Sequence, residues 1–217
     1  MKTFKADLPI YFIILAPFLF VAWNWAKFPE EVPIHFGLDG QPDDFASKWI
    51  GLVAIPASNI GLYFLILLLP KLDPKGRNYA LFEGKWRSFR LIIHSLFSFF
   101  TLVTALYSLG YEIEIGKWVP VGLAFLFLFL GNLLGTVRPN YFVGIKTPWT
   151  LHDETVWVST HRMAARLWVY LSVLAIPLLL IFPSNPYIFG TYMALLLIPP
   201  VVYSYLAFKK IRKERKS

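Results

Sequence analysis

The side chains best suited to chemistry lie in residues 140–166, a polar stretch between two long apolar segments. Glu154 and His161 are seven residues apart, so on a continuous helix they share one face with Trp157 between them. A carboxylate and an imidazole on one face could serve a metal-dependent hydrolase. The zinc signature of two histidines at i and i+4 is not met, because His152 and His161 are nine residues apart. We predict no enzyme, catalytic residue, metal or cofactor, and keep the Glu154–His161 hydrolase as an alternative.

A second polar group lies in residues 27–48, which contain five carboxylates and three prolines. His35, Asp39, Asp43 and Asp44 could bind a cation, although their spacing matches no recognised set of ligands. A solvated acidic loop is the favoured interpretation of this segment.

The composition indicates the environment that presents these two polar groups. Of the 217 residues, 57% are hydrophobic and 16% are charged, whereas soluble domains carry about a quarter charged residues. There is no cysteine, which excludes disulfides and thiolate chemistry. We predict an all-α integral membrane protein with six transmembrane helices. The predicted spans are residues 8–26, 49–70, 91–109, 118–136, 167–182 and 187–208.

The distribution of basic residues predicts the topology of these spans. The two ends of the chain and the segments 71–90 and 137–166 hold 18 of the 21 Lys and Arg residues. By the positive-inside rule, both termini and the 140–166 stretch are cytoplasmic, and the loop 27–48 is extracytoplasmic. The net charge of +8 is therefore explained by cytoplasmic loops in a multi-pass cell membrane protein. We expect membrane lipid as a partner and no direct contact with nucleic acid.

No Asp, Glu, Lys or Arg falls deep inside a predicted span, and His94 is the only histidine within one. Pumps and ion-coupled transporters normally need such groups as relays or counter-ions, so active transport is disfavoured. A transporter remains an alternative, and its polar path would use Asn24, Asn59, His94 and Asn132.

Local patterns predict how two of the helices begin and pack. Gly131 and Gly135 form a GxxxG pattern, which favours close helix contact. Thr147-Pro148 suits a helix start, and Thr150-x-x-Asp153 is an overlapping capping signal. We predict a helix that begins near 148–151 and runs directly into the fifth span. The helix could lie at the lipid interface, or it could organise the cytoplasmic ends of several spans or dock a partner.

The same stretch resembles the SdpI family of bacterial and archaeal membrane proteins. The matching signature is P-N-x-x-x-G-I-[RK]-T-P-W-T-L-x-x-E-x-V-W-x-x-T-H-R, in which Lys146 stands where arginine is common. The candidate functional residues are those at the signature positions of this chain. They are Asn140, Gly144, Lys146, Thr147, Pro148, Trp149, Thr150, Glu154, Trp157, Thr160, His161 and Arg162.

The resemblance extends upstream into the extracytoplasmic loop. Residues 32–48 look like the P-x-H-F-x-x-x-G-x-x-D-x-x-x-S-K signature of a domain of unknown function that often precedes the SdpI region. Asp73-Pro74 and Asn78-Tyr79 also look familial. We therefore expect an N-terminal region, 1–110, and an SdpI-like region, 111–217, each with three spans, the second carrying the cytoplasmic signature segment 139–166. The loop residues that match are Pro33, His35, Phe36, Gly40, Asp43, Ser47 and Lys48.

The resemblance implies immunity to a secreted antimicrobial peptide toxin that attacks the membrane. It also implies a receptor role, in which the protein holds a cytoplasmic transcriptional repressor at the membrane when toxin is bound. The implied partners are thus a peptide toxin outside and a repressor inside. The alternative is a transporter or lipid-interacting protein without toxin specificity.

Overall fold

Long apolar helices dominate the computed structural model, which describes residues 6–37 and 39–215. Five helical segments are long and apolar enough to cross a membrane, and a shorter apolar helix of 16 residues precedes them. This confirms the predicted all-α multi-pass membrane protein. The α-helices are α1 (Leu8–Trp23), α2 (Ile55–Leu72), α3 (Glu83–Ser108), α4 (Ile115–Leu134), α5 (Pro148–His152), α6 (Glu154–Ile181) and α7 (Pro186–Glu214). Three short turns complete the helical structure: 3₁₀ turns at Trp25–Lys27 and Gly76–Phe82 and a π-helical turn at Ile50–Ala54.

The segment 27–48, expected to be extracytoplasmic, is more ordered than a solvated loop. It folds into an antiparallel hairpin of β1 (Glu31–Phe36) and β2 (Pro42–Ser47), with an irregular register around His35. The sequence did not predict these strands, because proline and aspartate are depleted in β-structure. Pro33 is tolerated because a two-stranded hairpin consists of edge strands. Val32 is fully buried in a cluster with Val21 and Leu52, which holds the hairpin on the helices.

The C-terminal helices α4, α6 and α7 pack closely against one another. Gly131 lies against α6 so tightly that a Cβ there would be 2.9 Å from the Cβ of Trp168. The GxxxG pattern therefore marks a helix contact, as predicted. Further along, α4, α6 and α7 share a core formed by Ala124, Leu179 and Leu196.

The N-terminal helices are joined by a buried ion pair, which the sequence did not predict. The Arg90 guanidinium donates two hydrogen bonds of 2.7 Å to the Asp7 carboxylate, and the Tyr63 hydroxyl donates a third of 2.9 Å. Asp7 and Arg90 are both buried. The prediction placed Arg90 in a loop, but α3 begins at Glu83, so Arg90 lies two turns inside the helix. The ion pair thus connects the start of α1 to α2 and α3.

The four polar residues of the suggested transport path do not form a continuous polar path. Asn59 and His94 do meet, with 2.7 Å between Oδ1 and Nδ1, and Asn59 also donates to Ser98. The amide of Asn24 instead donates to the Phe20 carbonyl of its own helix, and Asn132 is exposed on α4. The contacts of these four side chains therefore join α2 to α3 and do not cross the bundle.

Breaking the ion pair should weaken the N-terminal helices. We expect Asp7→Asn and Arg90→Met each to lower the free energy of unfolding by about 3 kcal/mol, because each leaves one buried charge uncompensated. The double variant should lose clearly less than the sum of the two. Thermal unfolding in detergent, followed by circular dichroism, measures these losses.

The control is Arg87→Met, at an exposed position on the same helix. If the losses of the two single variants add up in the double variant, the two charges are not coupled.

Candidate functional site

The buried amide of Asn140 organises the loop between α4 and α5. Its oxygen accepts hydrogen bonds from the backbone N–H groups of Phe142 and Val143 at 2.9 and 2.7 Å. Its nitrogen donates to the carbonyls of Arg138 and Val143, each at 2.9 Å. Both ends of one side chain are thereby used to satisfy backbone groups that a loop leaves without partners.

This loop is docked onto the segment between α2 and α3. Asp73 accepts hydrogen bonds from the Tyr79 hydroxyl at 3.0 Å and from the backbone N–H of Tyr141 at 2.9 Å. Asn78 donates to the Pro139 carbonyl at 2.7 Å, and the Tyr79 hydroxyl lies 3.3 Å from Asn140 Oδ1. The segment 73–79 and the signature loop, both of which resemble the family, are thus joined by side-chain hydrogen bonds.

Two threonines fix the start of α5 and connect it to α7. Thr147 and Thr150 form a reciprocal capping box, in which each backbone N–H donates to the hydroxyl of the other residue. The Thr150 hydroxyl donates to the Ile145 carbonyl at 2.8 Å, and the Thr147 hydroxyl donates to Ser204 at 3.0 Å. The cap therefore also places α5 against the last helix.

The predicted continuous helix is interrupted at Asp153. This residue has an extended backbone and caps α6, accepting hydrogen bonds from the N–H groups of Thr155 and Val156. Arg215, at the end of α7, lies 2.6 Å from the same carboxylate. Burial by itself raises the pKa of Asp153, but the hydrogen bonds from Val156 and Thr155 and the contact with Arg215 outweigh it and lower the pKa below its ordinary value. Asp153 therefore stays ionised at neutral pH and holds α7 against α6.

Trp157 and His161 form the buried centre of the site. Their rings stack with centroids 4.1 Å apart, and Trp157 donates its indole N–H to the Val137 carbonyl at 2.9 Å. His161 Nδ1 must donate to the Trp157 carbonyl at 2.8 Å, while Nε2 accepts from the backbone N–H of Ile145 at 2.9 Å. This pattern is that of a neutral imidazole with both nitrogens engaged.

Gly144 completes the contact between the loop and α6. Its φ of +121° belongs to a region that side chains rarely adopt, and a Cβ would lie 2.4 Å from His161 Nε2. Only glycine combines this backbone conformation with such an approach.

Not all the signature side chains take part in this buried network. Glu154 is exposed while His161 is buried, so the two do not face a common cavity as the hydrolase alternative would need. Trp149 packs beside Tyr205 with ring centroids 5.0 Å apart. Thr160 is fully buried, and its hydroxyl has no hydrogen-bond partner within the described chain. The remaining signature residues are exposed: Lys146, Pro148 and Arg162.

The hairpin residues form a separate group. Phe36 packs edge-on against Tyr107 of α3, and Gly40, with φ of +78°, brings the turn against the backbone of Gly116 in α4. His35 Nδ1 lies 2.5 Å from the Asp43 carboxylate on the exposed surface. The structure leaves Ser47 exposed, buries Pro33 and pairs Lys48 with Glu30. Among the described residues no three His, Asp or Glu side chains come together as a metal site would require.

Sequence reasoning missed three partners of the site. Ser204 and Arg215 belong to α7 and reach the signature from more than 50 residues away, and Val137 offers only a backbone carbonyl. Neither a serine inside an apolar helix nor an arginine among other basic residues signals such a contact. Arg215 belongs to the basic segment 209–217, and the charge of that segment predicts its side of the membrane but not its contacts.

Comparisons with known proteins agree with the signature. Residues 136–205 match the SdpI/YfhL protein family, and residues 12–60 match a domain of unknown function, DUF1648. The chain is 28% identical to the immunity protein SdpI of Bacillus subtilis (strain 168) over 215 residues, which are 97% of this chain and the whole of that protein. No solved structure matches. The resemblance inferred from the two sequence motifs is thus confirmed.

Gly144→Ala adds a single methyl group, but it should disrupt the site strongly. We expect it to lower the free energy of unfolding by about 3 kcal/mol, because it combines backbone strain with an overlap at His161. Gly190→Ala is the matched control, since nothing lies within 4 Å of a Cβ there and the position is helical. That variant should be neutral or slightly stabilised. Melting temperatures of both variants in detergent test this, and equal values would refute the close fit at Gly144.

Proposed function

We propose that this chain, whose residues 136–205 form an SdpI/YfhL family region, is an immunity protein that protects its cell from a secreted antimicrobial peptide toxin. The observation that carries the proposal is the end-to-end similarity to an immunity protein, which covers 97% of this chain. The buried signature network supports it, because the motif residues contact the segment between α2 and α3, the segment that follows α4 at Val137, and α7. A role without catalysis fits the buried side chains of Asn140, Thr147 and His161, whose polar atoms are already engaged in hydrogen bonds.

The extracytoplasmic hairpin is the proposed sensing element. It contacts both groups of helices, through Phe36 on Tyr107 of α3 and through Gly40 on Gly116 of α4. A peptide that binds the exposed side of the hairpin, at His35, Asp43 and Ser47, would therefore act on both groups at once.

Helix α3 is the proposed physical link between the hairpin and the signature. One end of α3 carries Tyr107, and the other carries Trp86, whose ring lies 4.9 Å from Tyr79. Tyr79 in turn contacts Asp73 and Asn140. A shift of this helix would move the signature loop, and two such arrangements are what a signalling role requires.

Protection is tested by expressing the chain in bacteria that lack their own immunity protein and exposing them to purified peptide toxin of this type. We expect survival with the wild-type chain. Thr147→Val should lose most of it, because it removes the hydrogen bonds to Ser204 and Thr150 at nearly constant volume. The control is Thr136→Val, which changes an exposed threonine that donates to a backbone carbonyl. Immunoblots must show that the wild-type chain and both variants are present in the membrane in equal amounts. If the toxin kills bacteria that contain the wild-type chain, the immunity proposal is wrong.

Repressor recruitment is tested separately. Where a small helix-turn-helix repressor is encoded beside this protein, a fluorescent fusion of that repressor should move to the membrane when toxin is added to cells that contain the wild-type chain. Arg162→Glu, at an exposed signature position, should reduce this movement while preserving protection. Lys71→Glu is an exposed cytoplasmic control. A repressor that stays in the cytoplasm in toxin-protected cells would remove the receptor role and leave immunity standing.

A further inference from the structure

A long apolar cleft runs between α3 and α4 on the surface that faces the membrane, and the two helices touch beneath it where Phe99 lies against Gly122. Its larger part, about 430 Å³, is lined by residues such as Ile92, Phe99 and Phe125. A narrower part of about 100 Å³ continues toward the cytoplasmic side, between Trp86 and Phe89 of α3 and the end of α4. The linings of the two parts adjoin on both helices, at Phe89 and Leu91 on α3 and at Phe129 and Leu130 on α4, so the parts follow one another along a single groove.

One cation stands at the cytoplasmic mouth of this cleft. Lys85 is exposed and lines the narrow part, and no carboxylate partner for it is found among the described residues. Apart from Lys85, the side chains that line the narrow part are apolar, and Gly144 adds backbone. An apolar channel with a single unpaired cation at the level of the lipid headgroups is complementary to an amphipathic anion.

The dimensions of the cleft fit an acyl chain from the cytoplasmic leaflet. Lys85 and Leu96 are eleven residues apart on α3, which corresponds to about 17 Å along the helix. Half of the hydrocarbon core is about 15 Å thick. A chain that starts at Lys85 therefore reaches the middle of the membrane inside the wider part of the cleft.

The inner wall of the narrow part belongs to the signature loop. Val143 and Gly144 line the cleft on one side, and a Cβ at Gly144 would point into His161 on the other. A molecule in the cleft would thus touch the same backbone that holds the buried histidine.

We propose that this cleft binds one phospholipid of the cytoplasmic leaflet, with its phosphate at Lys85 and one acyl chain between α3 and α4. The ion pair between phosphate and lysine orients the lipid, and burial of the chain against Phe89 and Leu130 supplies the apolar contact. The bound lipid closes the gap between the two groups of helices and supports the signature loop at Val143 and Gly144.

Native mass spectrometry of the full-length chain, purified in detergent and titrated with dioleoyl phosphatidylglycerol, tests this site. We expect one saturable lipid adduct. Lys85→Glu should raise its dissociation constant about tenfold or more, because a phosphate then meets a carboxylate. Leu130→Trp should reduce binding by filling the cleft. The matched control is Arg87→Glu, which makes the same change in charge at an exposed residue that does not line the cleft, and its affinity should stay within about twofold.

Two further measurements distinguish the occupants. Glycerol 3-phosphate carries the headgroup chemistry without acyl chains and should give no adduct at the same concentration. A second copy of the chain in the cleft would instead give a dimer without bound lipid, which would overturn the proposal. It would equally fail if Lys85→Glu and Arg87→Glu bound phosphatidylglycerol alike.

Discussion

The hydrogen bonding of Asn140 is the constraint on which the cytoplasmic side of this protein depends. Irregular backbone near a membrane must find partners within the protein, because hydrocarbon supplies none. Asn140 provides an acceptor to two N–H groups and donors to two carbonyls, so the loop folds around one buried side chain. With the loop fixed, Gly144 can reach His161 and Thr147 can begin α5 against Ser204.

The C-terminal helices and the N-terminal helices are each held together by a different kind of contact. The C-terminal helices use small residues and close backbone approach, as at Gly131, where the energy comes from packing. The N-terminal helices use the Asp7–Arg90 pair, whose geometry is bidentate and supported by Tyr63. A buried pair adds little net stability but is costly to break, so it specifies which ends meet. The hairpin and the signature network then join the two groups at opposite sides of the membrane.

Much of this arrangement could be predicted from the sequence, and the exceptions share a physical cause. Apolar runs predicted the helices, since a membrane requires them, and the GxxxG spacing predicted the Gly131 contact. The motif from Asn140 to Arg162 marked the loop and helices where the buried network of the candidate site lies. What failed was long-range pairing: Arg90 was assigned to a loop because its partner Asp7 lies 83 residues away. The hairpin was missed because its strands are stabilised by Val32 packing on the helices, which overrides weak local propensity.

The position of the signature loop between two surfaces explains why so many of its residues are constrained. On one side, the loop and α5 contact α7 through Thr147 and Ser204, close to the ion pair of Asp153 with Arg215. On the other side, Val143 and Gly144 line the cleft between α3 and α4. A change on either surface must pass through backbone that Asn140 and His161 hold by hydrogen bonds, and these bonds cannot stretch far before they are lost. The loop is therefore held as a unit between the cleft, the last helix and the docked segment around Asp73.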